Sequence, residues 1–103
     1  MIAREWRGAT RAADREAYLE YLEATGLKEY RATPGNLGTV VLTREIGGLT
    51  EFRLLSFWDD MESVGRFAGP QPDQAVFYPE DDRFLVERDL QVRHYEVAAD
   101  QLP

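Results

Sequence analysis

A length of 103 residues is enough for one domain and too short for two, and with 44% hydrophobic and 12% aromatic residues the chain can build a packed core. The net charge is −7 and the basic residues are scattered singly, so neither nucleic acid nor an anionic membrane is expected as a partner. The absence of cysteine excludes disulfides, thiolate metal sites and thiol catalysis.

The first part of the chain predicts a strand followed by a helix. In residues 2–9 apolar and polar side chains alternate loosely, and Trp6 is among them, which indicates a strand. Residues 13–25 place apolar side chains at helical spacing and predict a helix. Gly26 is expected to end this helix, because glycine readily adopts the left-handed conformation found there. Residues 27–30 can add a further turn.

The middle of the chain predicts a β-hairpin. Residues 37–45 are rich in β-branched side chains, and Gly47 and Gly48 supply the positive φ angles of a tight turn. In residues 51–58 the apolar side chains fall on both parities, so we expect this strand to be central in its sheet and covered on both faces. Asp59 is the expected N-cap of the next helix, with an acid three residues on.

The last part predicts a second helix and a final strand. Apolar residues at 61, 64, 67 and 68 share one helix face, and the proline after Gly69 ends the helix. Residues 72–76 are predicted to form a short helical turn. Three consecutive acids, residues 80–82, resemble a metal site but lack a nearby histidine or spaced fourth ligand, so a solvated helix start is preferred. Residues 89–98 predict the last strand.

The predicted order is β-α-β-β-α-β, which is the ferredoxin-like motif of an α+β protein with an antiparallel sheet. Right-handed crossovers place the first and third strands side by side at the centre, with both helices on one face. We therefore expect a single domain over residues 1–98 and a C-terminal tail over residues 99–103. The other face would expose bulky residues of the strand 51–58, and a symmetric homodimer would cover them. The parity that meets the partner is left open.

Few residues in the sequence have the chemistry of a catalytic site. His94 is the only histidine and the one group expected to titrate near neutral pH, so it is a candidate general base. A lone histidine on a strand is also a common surface residue, and that alternative stays open. No glycine-rich phosphate loop, HExxH motif or histidine pair occurs, so neither a nucleotide nor a metal is predicted.

Aromatic residues are abundant at the predicted strand ends and around the second helix. Some of them must form the core. Others favour an apolar cleft between the sheet and that helix, in which Tyr78 could supply a polar group. The aromatic residues in question are Trp6, Phe57, Trp58, Phe67, Phe77 and Tyr78.

Three stretches, together with the element order, resemble the antibiotic biosynthesis monooxygenase family. They are Leu54-Leu55-Ser56-Phe57-Trp58 running into Asp59-Asp60-Met61-Glu62, then Phe77-Tyr78-Pro79-Glu80-Asp81-Asp82, and His94-Tyr95-Glu96-Val97. The resemblance covers nearly the whole chain and is closest to a branch of small bacterial proteins of unassigned activity. It implies a dimeric α+β barrel.

The resemblance implies two kinds of activity. Some members oxidise phenolic or quinol-like substrates without a metal or flavin, and others degrade haem through an asparagine, a tryptophan and a histidine. Counted from Trp58, the tryptophan position falls on Phe67 and the histidine position on Phe77, while the asparagine position falls near Trp6. Phenylalanine cannot ligate iron, so haem degradation is not predicted.

The predicted function is therefore oxidation of a small aromatic substrate with no cofactor. Such chemistry needs a base, donors for an oxyanion and an apolar pocket, with His94 as the base. The predicted pocket residues are Trp6, Arg53, Phe67, Phe77 and Tyr78. The alternative is a non-catalytic homodimer that binds a small apolar ligand or has a purely structural role.

The sequence also carries an expectation about location. The N-terminal residues include charges where a signal peptide needs an apolar core. No apolar run approaches the roughly 20 residues of a membrane span. Cytoplasm is therefore expected.

Overall fold

Five strands and four helices follow one another along residues 1–103, all of which the computed structural model describes. The strands are β1 (Ile2–Arg11), β2 (Asn36–Ile46), β3 (Leu49–Trp58), β4 (Leu85–Arg88) and β5 (Arg93–Glu96). The helices are α1 (Arg15–Ala24), α2 (Gly26–Ala32), α3 (Met61–Ala68) and α4 (Asp81–Phe84), and a short 3-10 turn, Ala12–Asp14, precedes α1. No helix is both long and apolar enough to cross a membrane.

The sheet has β1 and β3 at its centre, as the crossover argument predicts. Its order is β2-β3-β1-β4, and every pairing is antiparallel. β1 and β3 pair along their whole length, from Ile2 opposite Trp58 to Arg11 opposite Leu49. β2 and β3 are joined by the predicted Gly47-Gly48 turn, in which both glycines have positive φ. The α+β fold class is confirmed.

Two predictions for the last part of the chain are corrected. The helical turn at residues 72–76 is wrong, and within the predicted last strand, residues 89–98, only β5 (Arg93–Glu96) forms a strand, while β4 was not predicted. The chain leaves the sheet after β4 and returns as β5, so two short strands divide the edge of β1 between them. In between, the N–H of Val92 donates to the Asp73 carbonyl at 2.8 Å, and the N–H of Ala75 donates to the Leu90 carbonyl at 2.9 Å. Residues 72 and 73 form a turn, in which the Gln74 N–H donates to the Gln71 carbonyl at 3.1 Å, and Gln74 then pairs with Gln91.

Two helix boundaries also differ from the sequence prediction. Gly26 begins α2 instead of ending α1, because Thr25 takes the irregular conformation (φ −119°, ψ −94°) and its hydroxyl donates to the Tyr21 carbonyl at 2.8 Å. The N-cap of α3 is Asp60, whose carboxylate accepts from the Ser63 N–H at 2.9 Å. Asp59 still follows the strand, since its N–H donates to the Gly35 carbonyl at 2.9 Å.

Side chains of β3 alternate between two faces of the sheet. Phe52, Leu54 and Trp58 are at most 5% exposed and pack against aromatic and aliphatic side chains of α1, α2 and α3. We call this side the helix-covered face. Leu55 and Phe57 point to the opposite side, the open face, and are only partly buried. Within a single chain, β3 is thus covered on one face only.

Candidate functional site

A cleft opens on the helix-covered face, between β1, β3, the helices and the segment that joins α3 to α4. The free space between its walls, with open solvent at the mouth included, is about 430 Å³, and the centre of a water molecule can occupy about 30 Å³ of it. Eleven of the fourteen lining residues are hydrophobic, so the cleft favours an apolar ligand over water. That accessible volume corresponds to about two water molecules, so the cleft is narrow.

The aromatic rings of the cleft are held by specific contacts. Trp6 and Phe77 pack edge to face with their centroids 6.2 Å apart, and the Trp6 indole donates to the Asp89 carbonyl at 2.9 Å. On the α3 side, Phe67 packs against Tyr30 with a centroid separation of 4.6 Å. Such pairs add packing energy and fix ring orientation, so the walls are preorganised.

Two tyrosine hydroxyls provide donors in this apolar setting. Burial raises the pKa of Tyr78, and the charge of Glu29 adds to the shift. Burial also raises the pKa of Tyr30, although neighbouring Arg4 and Ser56 act in the opposite direction. Both residues line the cleft. Because their pKa values lie above the ordinary value, both hydroxyls keep their protons at neutral pH and can donate hydrogen bonds.

The carboxylate of Asp81 is occupied by protein donors. Its two oxygens accept from the Tyr78 N–H at 2.6 Å and from the Tyr18 hydroxyl at 3.1 Å. Asp81 is 4% exposed, and burial raises its pKa. The expectation of a solvated acidic helix start is therefore wrong for Asp81, because this carboxylate ties α4 to α1; Glu80 and Asp82 are exposed.

Arg4 is a buried charge at the cleft. It is 2% exposed and lines the cavity. Its Nη1 donates to the Pro72 carbonyl and, at 3.0 Å, to Nε2 of His94, while Nη2 donates to the Gln74 carbonyl at 3.1 Å. All three acceptors are uncharged. Arg4 forms no ion pair.

His94 lies behind Arg4 and connects it to Asp73. Because an arginine can only donate, Nε2 of His94 must be an acceptor, and the ring proton then sits on Nδ1, 3.1 Å from an Asp73 carboxylate oxygen. Burial, followed by the charge of Arg4, lowers the pKa of His94 against the opposing effect of Asp73. His94 is therefore neutral at pH 7 and is not among the lining residues.

Most of the residues proposed from sequence meet in this cleft. Trp6, Phe67, Phe77 and Tyr78 lie in its wall. The placement of Arg53 is corrected, because its odd position on β3 puts it on the open face, 3.6 Å from Glu5. Trp58 is fully buried in the core.

Sequence reasoning missed three polar residues of the cleft, namely Arg4, Tyr30 and Asp81. The sequence does contain one indication for Arg4. Arg4 and Trp6 are two residues apart on β1, so their side chains lie on the same face of the sheet, and Trp6 is expected to face the helices. A charge at an inward strand position is rare unless it is paired. Tyr30 and Asp81 carried no comparable signal, because their roles depend on contacts between distant segments.

Comparisons with known proteins support the fold. No family model and no curated protein matches the chain. A solved structure of a provisionally named antibiotic biosynthesis monooxygenase from Bacillus cereus matches with a TM-score of 0.66 at 14% identity, over 99% of this chain and 97% of that one. One of the same provisional name from Deinococcus radiodurans matches with a TM-score of 0.60 at 20% identity, over 100% and 98%. The chain thus has the fold of the antibiotic biosynthesis monooxygenases, as the resemblance predicts.

Another similar structure is a haem-degrading protein of Mycobacterium tuberculosis with two haems in its active site, at a TM-score of 0.59 and 19% identity, over 98% of this chain and 99% of that one. The residues that line the cleft of this chain do not fit haem. No histidine, cysteine or methionine lines it, and both ring nitrogens of His94 are engaged. Burial raises the pKa of the lining residue Tyr18 as well as those of Tyr30 and Tyr78, which disfavours a phenolate ligand.

Proposed function

We propose that the chain is a cofactor-independent monooxygenase that acts on a small phenolic or quinol-like substrate in the cleft. The observation that carries the proposal is the combination of fixed aromatic walls with donors that line the same apolar space, namely the buried Tyr30 and Arg4 and the half-buried Tyr78. Donors in a dry site stabilise an oxyanion far better than they do in water. The apolar surroundings disfavour a phenolate, and the positive charge of Arg4 together with the hydroxyl donors would offset that cost for a bound phenol.

The reaction balances with oxygen as the only co-substrate. The bound phenol loses its proton, and the electron-rich ring passes an electron to O₂. The two radicals combine to form a carbon–oxygen bond at a ring carbon that bears hydrogen. Loss of water from the resulting peroxide leaves a carbonyl, so one phenol and one O₂ give one quinone and one water. The protein binds the ring, stabilises the phenolate and excludes water.

His94 enters the proposal as the base predicted from sequence, although it contacts the cleft only through Arg4. Two substitutions separate a base from a positioning residue. His94→Ala removes both roles, whereas His94→Gln keeps an acceptor for Arg4 and removes the base. Equal loss of activity in both variants supports the base, and retention in His94→Gln shows that the histidine positions Arg4.

Oxygen uptake tests the function directly. Wild-type protein is mixed with a panel of dihydroxynaphthalenes and quinols, and uptake is followed with an oxygen electrode alongside His94→Ala. Arg31→Gln is the matched control, because Arg31 is exposed and forms only a surface pair with Glu23. Uptake by wild type and the control, lost in His94→Ala, is expected. Absence of uptake with every member of the panel would overturn the proposal.

The alternative function, a small-ligand-binding homodimer without catalysis, is favoured by the narrowness of the cleft. Calorimetric binding of the same panel without oxygen uptake would support it.

We also propose that two chains associate through their open faces. Apolar side chains there are strongly exposed, with Val40 at 42%, Leu42 at 46% and Tyr95 at 50%. Leu55 and Phe57 extend the same surface on β3. Sedimentation should give about twice the chain mass of 11.8 kDa. A monomer at micromolar concentration would contradict the proposed homodimer.

A further inference from the structure

The charge of Arg4 has no counterion, which is unusual for a buried arginine. A buried charge normally has an oppositely charged partner, because the cost of removing it from water is several kcal/mol. On the same strand Arg7, although less buried, forms ion pairs with Glu51 at 2.6 Å and Glu87 at 3.0 Å. The only acid near Arg4 is Asp73, which is separated from it by the ring of His94.

The groups that contact the Arg4 guanidinium come from several elements of the chain. They are the carbonyls of Pro72 and Gln74, the neutral ring of His94, the hydroxyl of Tyr30 and the face of Phe67, whose centroid lies 5.8 Å from the guanidinium carbon. None of these groups carries a negative charge. The three hydrogen bonds use three of the five guanidinium N–H groups, and the Tyr30 hydroxyl is placed to accept from a fourth, so at least one remains for a ligand.

We infer that the cleft selects apolar, ring-bearing ligands that carry one planar anionic group, a carboxylate or a phenolate, and that Arg4 binds this group. The inference rests on the proposed function in that it names the substrate class of the same cleft. A guanidinium presents its N–H groups in one plane and matches a planar oxyanion closely. The bound anion then supplies the missing counterion in a dry environment, where the pairing is strongest.

His94 and Asp73 act as positioning residues for this recognition. Nε2 of His94 accepts from Arg4, and the Asp73 carboxylate fixes the tautomer that makes this possible. The carbonyls of Pro72 and Gln74 hold the guanidinium from the other segment. Arg4 is therefore held in place before a ligand arrives, which lowers the entropic cost of binding.

Matched pairs of charged and neutral ligands test the inference by isothermal titration calorimetry. The pairs are benzoate with benzamide, 1-naphthoate with 1-naphthamide, and 4-nitrophenolate with 4-nitroanisole. The wild type should bind the anion of at least one pair more than about tenfold tighter than its neutral partner, as expected for a charge-assisted bond. The carboxylate and phenolate pairs reveal which oxyanion is preferred.

Three variants assign the preference to Arg4. Arg4→Met should bring the anion and its neutral partner to similar affinity, while binding of the neutral partner persists and shows that the cleft is intact. Arg4→Lys should retain part of the preference. Arg53→Gln, on the open face, should leave it unchanged. Equal affinities of both members in wild type, or a preference that survives Arg4→Met, would overturn the inference, as would the failure of every anion to bind.

The outcome is distinguishable from that of the proposed function. Selective binding of anions without oxygen uptake would support the anion preference and contradict the proposed monooxygenase activity. Oxygen uptake at equal efficiency with neutral and anionic substrates would support the proposed activity and contradict the anion preference.

Discussion

The two faces of the sheet treat charge in opposite ways. On the helix-covered face, Arg4 is buried with only neutral acceptors around it. On the open face, the carboxylate of Glu51 is 5% exposed and lies within 4 Å of Arg7, Arg44 and Arg53. One face thus has a cation that lacks an acid, and the other an acid with an excess of cations.

The difference separates a structural network from a binding site. Arg44 and Arg7 donate hydrogen bonds to Glu51 and lower its pKa to about 2, so this carboxylate stays charged and satisfied within the chain. Arg4 has no such partner, and burial lowers its pKa. A network that satisfies itself holds the strands in register. A charge left without a partner beside a cleft is available to a ligand.

The largest expected effect comes from placing a charge on each face in turn. Leu54→Asp buries an unpaired carboxylate in the core and should cost about 4 kcal/mol or more, so we expect an unfolded chain by circular dichroism. Leu55→Asp puts the same charge on the open face. It should keep the secondary structure and shift sedimentation to the monomer. A Leu55→Asp variant that remained dimeric would contradict the proposed interface.

An intermediate effect is expected from removing each face's central charge. Glu51→Gln leaves Arg44 without an acid and removes one of the two acids paired with Arg7 and with Arg53, so it should lower the free energy of unfolding by about 2–3 kcal/mol. Arg4→Met removes an uncompensated buried charge, and we expect a change of about 1 kcal/mol or less. Urea denaturation of both variants checks the comparison. A larger loss in Arg4→Met than in Glu51→Gln would reverse it.

The smallest effect is a pH dependence at His94. Burial lowers its pKa in the folded state, with Arg4 adding to the shift, so the unfolded chain binds more protons once the pH falls below about 6.5. The free energy of unfolding should therefore decline as the pH falls from that value down to the folded pKa. His94→Gln should flatten the curve in this window. An unchanged slope would show that another group is responsible.

The sequence predicted most of the fold because the relevant signals are local. The Gly47-Gly48 turn, the β-branched strand before it and the apolar stripe of α3 each identify their element within a few residues. The last strand is shorter than predicted and β4 was not predicted, because the interruption between them depends on residues 73–75 contacting residues 90–92, a contact that no local pattern records.

The cleft was predicted in part. Aromatic residues near strand ends and around the second helix indicated an apolar space, and four of them lie in its wall. Arg53 was predicted as the charged residue of the cleft, whereas Arg4 lines it. The difference arises because the alternation of side chains along a strand decides which arginine faces the helices. Arg4 and Arg53 are equally polar in sequence, and only the packing of helices on one side distinguishes them.

By itself, the sequence determined the order of the elements, the hairpin, the central place of β3 and the supply of aromatic residues, because propensity and periodicity act over short distances. Only the tertiary structure decided which alternate residues of β3 face the helices and which arginine is buried without a counterion. The physical reason is that burial of a charge, and the absence of an acid beside it, are set by neighbours from four separate segments of the chain.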